Sequence, residues 1–116
     1  MAASKTPLVR LHHIQDEIDN LLDVLAGTDY SSFVDSYWMI RTTERAILII
    51  AEAAKALPDA LTDRYPEIEW QALNGMANIL RHKYQRVETE VLWRVVTESL
   101  PRLKPVIEHM TSQLEE

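Results

Sequence analysis

Residues 33–57 read FVDSYWMIRTTERAILIIAEAAKAL, and how this segment folds settles the architecture. Phe33, Tyr37, Ile40, Glu44, Ile47, Ala51 and Ala54 recur at helical spacing. Ser31 or Ser32 is placed to start that helix and Pro58 to end it. Within it, Ala46-Ile47-Leu48-Ile49-Ile50-Ala51 is apolar on every side for more than a turn. A helix that is apolar all round is buried all round. A chain of 116 residues rarely surrounds such a helix alone. The expectation is a central helix that keeps a second face for another subunit.

The flanking segments follow the same period. Leu8, Leu11, Ile14, Ile18, Leu21, Leu22 and Leu25 form one stripe, with Thr6 as cap, Pro7 at the first helical position and Gly27 as a left-handed stop. Asp59 to Pro66 reads as a connection. A third helix starts near Pro66-Glu67 and carries Trp70, Leu73, Ala77, Leu80 and Tyr84. After a turn at 87–89, with Glu88 or Thr89 as cap, a fourth carries Leu92, Val96, Leu100, Leu103, Ile107, Met110 and Leu114. Pro101 and Pro105 fall inside it, so a kink, or a break with Ser99 as a new cap, is expected. No alternating run suggests a strand. The fold expected is all-α: an antiparallel bundle of four long helices plus a short C-terminal helix. It forms one domain over residues 1–116, with roughly the first six flexible.

Composition narrows the chemistry. With no cysteine, disulfides, thiolate metal sites and thiol nucleophiles are excluded. Two glycines leave no Gly-rich phosphate loop. No segment approaches the length of a membrane span, and the N-terminus lacks a secretory pattern, so a soluble cytoplasmic protein with no membrane association is expected. Eighteen acids against twelve cations give a net charge of -6, which argues against a nucleic-acid partner at the scale of the whole chain.

The scale matters, because residues 78–86 carry three cations, Arg81, Lys83 and Arg86, and no acid. The basic island surrounds His82. Gly75, Asn78 and His82 are three and four residues apart and share one helical face. A glycine inside a helix costs about 1 kcal/mol against alanine, so Gly75 suggests close backbone approach or substrate access. Histidine is the side chain suited to proton exchange at neutral pH. The alternative is a helix C-terminus whose cations complement the dipole. The four histidines, His12, His13, His82 and His109, include no pair at metal-binding helical spacing. His109 is expected at the surface. Glu44 and Glu52 either pair with Arg41, Arg45 or Lys55 on their own helix, or Glu44 reaches His82 and supports its basicity.

Several blocks together resemble a known family. Asn78-Ile79-Leu80-Arg81-His82-Lys83-Tyr84, followed by Val87 and Val91-Leu92-Trp93, resembles the C-terminal half of HEPN-domain proteins of the HepT-like type. Arg41-Thr42-Thr43-Glu44-Arg45, Ile50-Ala51-Glu52-Ala53, Pro66-x-Ile68-x-Trp70 and Leu100-Pro101-x-Leu103 extend the likeness from about Leu8 to Leu103. The resemblance implies a dimerising helical bundle and a metal-independent endoribonuclease that needs no cofactor. It also implies a toxin paired with a minimal nucleotidyltransferase antitoxin. The family motif is Arg, four to six residues, then His, often with Tyr two positions on, lining a cleft between two subunits.

Carried over by position, His82 matches the motif histidine and Tyr84 the tyrosine, which the antitoxin would modify with AMP. Asn78 falls where a polar residue commonly follows the motif arginine. The arginine itself is missing: the corresponding positions hold Gly75, Met76 and Ala77. For an active site, His82 is the acid/base, Arg81 the cation beside the phosphate, and Asn78 an orienting group. Lys83, Arg86 and Tyr84 would hold RNA. Either Arg81 or a partner's cation substitutes, or the site is altered, or Ala77 itself removes toxicity. A catalytically silent homodimer that binds a nucleotidyltransferase or RNA, and a plain dimerisation protein, stay open beside the ribonuclease.

Overall fold

A computed structural model describes residues 6–82 and 88–115. Among them the chain forms helices α1 (Pro7–Leu25), α2 (Tyr30–Val34), α3 (Tyr37–Lys55), α4 (Asp59–Thr62), α5 (Trp70–His82), α6 (Thr89–Arg94) and α7 (Leu100–Leu114), with no strand. The expected all-α class holds. A π-helical turn, Val95–Ser99, joins α6 to α7.

Helix α1 keeps its predicted stripe, with Leu11, Ile14, Ile18, Leu21 and Leu25 buried. Pro7 sits at its start, although the Thr6 side chain makes no capping bond. Gly27, at φ 78°, provides the left-handed turn that leads the chain away. From there the structure departs from a single helix running to Pro58. Asp29, not Ser31 or Ser32, caps α2 by accepting from the Ser32 N–H at 2.8 Å. Ser36 then caps α3 by accepting from the Met39 N–H at 3.3 Å.

Short polar side chains compete with the helix for backbone donors, and here Ser36 breaks it while Asp29 moves its start. Phe33 consequently turns into the core, where its ring centroid lies 5.0 Å from that of Trp93. Tyr37 was expected on the same buried stripe but is 74% exposed.

Helix α3 is central, packed between α1 and α5 and touched near its start by α2 and α6. Ile47, Ile50 and Ala51 are fully buried and Ala46, Ala53 and Ala54 nearly so. The chain itself therefore covers most of the surface that was expected to need a second subunit. Only Leu48 and Ile49 of the apolar run remain half-buried.

The connection after α3 contains the single turn of α4, and α5 begins at Trp70 rather than near Pro66-Glu67. The Trp70 indole N–H donates to the Tyr65 carbonyl at 3.1 Å, tying the helix start to the preceding turn. Ala77 and Leu80 are buried on α5, whereas Leu73 and Met76 are half-buried.

The segment from Thr89 to Leu114 does not break at its prolines. Pro101 has no N–H to donate, and the helix widens one turn earlier instead: the Leu100 N–H bonds to the Val95 carbonyl, five residues back. Ser99 stays helical at φ -73°, ψ -47° and makes no side-chain cap, so the expected new helix start there is absent. Glu88 occupies the position before α6 but also makes no capping bond. Lys104 to Asp19 at 2.8 Å and Gln15 to Glu108 at 3.3 Å link α7 to α1.

Candidate functional site

Two faces of α5 divide its work. Ala77 and Leu80 point into the core, while Gly75, Asn78, Ile79 and His82 are exposed. The line Gly75–Asn78–His82 is thus on one open face, as the three- and four-residue steps require. A Cβ built on Gly75 would meet nothing within 4 Å. Among the described residues nothing supplies the close approach expected at Gly75, and the helix retains a residue of poor propensity there.

Arg81 does not stand free beside His82. Its Nη2 closes an ion pair with Glu52 Oε2, joining α5 to α3. Both side chains remain roughly half-exposed, at 41% and 48%, so solvent screens the pair and its worth in stability is small. Its value is geometric: one donor edge of the guanidinium is committed to Glu52, and the remaining donors still face water.

Glu44, expected either on its own helix or at His82, takes the first course. It accepts from Arg41 at 2.7 Å, one turn away on α3. The carboxylate that reaches the α5 motif is Glu52. Asn78 and His82 are brought together on the α5 surface, with Arg81 adjoining them. Lys83, Tyr84 and Arg86 lie outside the described residues.

The three positions where the family motif would place its arginine now differ physically. Ala77 is 1% exposed and faces the core, so a long cation there has no room in the folded chain. Met76 is half-buried, and Gly75 alone opens to solvent. Among the described residues no group of His, Asp and Glu converges as a metal-binding set.

Two of the other histidines make contacts that do not involve α5. His109 Nδ1 and Tyr65 Oη share a hydrogen bond at 2.7 Å, and His109 is exposed, as expected. His12 lies 3.6 Å from Glu115.

A feature that the sequence reading passed over is the start of α3. Tyr37 and Trp38 are 74% and 55% exposed, and the Arg41 guanidinium lies 4.8 Å from the Tyr37 ring centre. Trp38 falls off the apolar stripe, and that was the signal available for an aromatic held at the surface.

Comparison with known proteins gives a consistent picture. A family model described as ribonuclease HepT-like matches residues 14–110. A protein of Methanocaldococcus jannaschii, named provisionally as an RNase, is 28% identical over 98 residues, covering 84% of this chain and 90% of its own length. One of Caldanaerobacter subterraneus, named in the same way, is 28% identical over 106 residues, covering 91% and 95%. A probable ribonuclease HepT of Thermococcus cleftensis is 39% identical over 66 residues, covering 57% and 60%. No solved structure matches the chain.

Proposed function

The chain belongs to the HepT-like ribonuclease family, and from that premise we propose that His82 is the acid/base of a metal-independent RNA cleavage, in a cleft that a second copy of the chain completes. The observation that carries this reading is the open line Gly75–Asn78–His82, with space at Gly75 that no described residue fills. A glycine kept inside a helix at a cost of about 1 kcal/mol makes sense where another backbone or a ribose must come close.

In the proposed reaction a histidine takes the proton from a ribose 2′-hydroxyl. The oxygen then attacks the adjacent phosphorus while the bond to the 5′-oxygen of the next nucleotide breaks, and that oxygen receives a proton. The products are a 2′,3′-cyclic phosphate and a free 5′-hydroxyl, with no net change in protons. Two His82 side chains from paired subunits would supply the base and the acid, each step worth about 10²–10⁴ in rate. Arg81, anchored by Glu52, would turn its remaining donors towards the charge on the phosphorane. Asn78 would orient the phosphate or the imidazole. Lys83 and Arg86 would hold the RNA backbone.

On the same reading the protein is a toxin restrained by a nucleotidyltransferase antitoxin. Transfer of AMP to Tyr84 would place bulk and negative charge beside His82.

One observation favours a second reading, that of a silent dimer binding the nucleotidyltransferase or RNA without cutting. Ala77 stands at a motif-arginine position and faces inward, so no arginine side chain can be restored there without disturbing the core. Expression of wild type and His82→Ala in cells, with purified protein assayed on single-stranded RNA, separates the two. Growth arrest and cleavage that vanish in His82→Ala support the ribonuclease. RNA or nucleotidyltransferase binding with no cleavage by either protein supports the silent binder.

A further inference from the structure

Helix α3 places an aromatic surface in line with the α5 motif. Residues Tyr37, Trp38, Arg41, Arg45 and Glu52 lie within one exposed sector of the helix, opposite Ile47, Ile50 and Ala54. Trp38 and Glu52 are fourteen residues apart in the sequence, which makes about 21 Å along the helix axis. Glu52 in turn holds Arg81, the neighbour of His82. The sector therefore runs from two large exposed rings, past two arginines, to the ion pair beside the proposed catalytic histidine.

The rings are set on a firm base. The Arg41 guanidinium packs over Tyr37 and is itself held by Glu44 at 2.7 Å. On α2, the helix before α3, Tyr30 meets Trp93 edge-on at 5.9 Å, and Phe33 backs the same indole from within the core. Exposing Tyr37 and Trp38 at 74% and 55% forgoes the burial that aromatic side chains normally gain. Ser36, which caps α3, is what turns this pair outward instead of continuing the Phe33 stripe.

We propose that Tyr37 and Trp38, with Arg41 and Arg45 alongside, form a base-stacking platform for single-stranded RNA that feeds the His82 motif of α5. This rests on the ribonuclease reading above, and it names how the substrate is held. A chain of net charge -6 has little phosphate attraction to spend over its surface. Stacking on aromatic faces does not depend on charge and tolerates any base. Arginine beside a ring adds both a flat surface for a base and a partner for phosphate. Duplex RNA, whose bases are already stacked and paired, offers nothing to these rings.

The test measures anisotropy of a labelled single-stranded RNA oligonucleotide over a salt series, with His82→Ala as the parent so that the probe stays intact. Adding Trp38→Ala is expected to weaken binding about ten-fold. Trp38→Phe should recover most of the loss, and the salt dependence should keep its slope because no cation has been removed. A duplex of the same sequence should bind weakly with or without the ring. Unchanged affinity in Trp38→Ala overturns the proposal. So does a fall in affinity that sedimentation traces to loss of an oligomer, since the rings then belong to an interface between copies. Failure of the cleavage reading is separately visible: wild type would not cut RNA, while the Trp38 dependence of binding persisted.

Discussion

Two isoleucines define the two halves of this molecule. Ile47 of α3 is fully enclosed by the helices around it, whereas Ile79 of α5 is 40% exposed. Helix α3 packs against α1, α2, α5 and α6, whereas α5 leans mainly on α3 and buries only Ala77 and Leu80. The first helix holds the fold together. The second spends one face on attachment and leaves the other exposed. Asn78 and His82, the residues proposed for chemistry, lie on the exposed face of α5, where a change of side chain disturbs little packing.

The largest expected effect tests the α3 half. Ile47→Ala removes a fully buried side chain and should cost about 2–5 kcal/mol, read as a lower urea midpoint with an unchanged slope. Ile79→Ala should stay within about 0.5 kcal/mol of wild type. Equal losses from the two substitutions would mean that α5 is covered as fully as α3 in solution, and the contrast between the helices would not survive.

Ala77→Arg comes next. Overpacking at this buried site should cost about 1–3 kcal/mol or more, visible as a fall in thermal midpoint. Gly75→Arg, two residues earlier at another of the motif positions, starts from an exposed site with room for its Cβ and should fold as well as wild type. A stable Ala77→Arg protein would show that α5 lifts from α3 with ease.

This pair also shows how far the sequence was readable. The stripe Trp70, Leu73, Ala77, Leu80 already placed Ala77 towards the core, so its burial was legible beside the missing arginine. The line Gly75–Asn78–His82 was legible for the same reason, because helical steps fix which side chains share a face. The partner of Arg81 was not. Glu52 lies 29 residues earlier, and no local spacing joins them. Likewise the period from Phe33 to Tyr37 continues unbroken in sequence, while Ser36 interrupts it through a side-chain bond that residue type alone does not assign. At Pro101 the sequence showed that a backbone donor was missing, but not that a wider turn at Val95–Ser99 would absorb the loss.

A smaller effect of opposite sign is expected at Gly75. It is helical, with room for a methyl group, so Gly75→Ala should stabilise the dilute protein by about 0.5–1 kcal/mol. If a second backbone or an RNA strand approaches there, the same methyl should lower RNA cleavage. Thermal midpoint and cleavage rate would then move in opposite directions, which is how a functional glycine differs from a merely tolerated one.

The smallest effect concerns the entrance to α2 and leaves α5 alone. The Ser32 backbone N–H, followed by its hydroxyl, holds the Asp29 carboxyl below the usual carboxylate range. A carboxyl whose pKa is lowered by folding stabilises the fold when ionised. That contribution is complete above the ordinary carboxylate pKa and fades as pH falls through the lowered one. Asp29→Asn keeps an acceptor for the cap but carries no charge to lose. The thermal midpoints of wild type and Asp29→Asn should therefore differ most near neutral pH, with wild type higher, and converge under acid. The residue is exposed, so the difference should be small and shrink with added salt. Convergence at acid pH would assign this part of the acid sensitivity to the corner that turns Phe33 inward and Tyr37 outward. A gap that stayed constant with pH would mean that the charge on Asp29 does no work at the cap, and that the hydrogen bond alone sets where α2 begins.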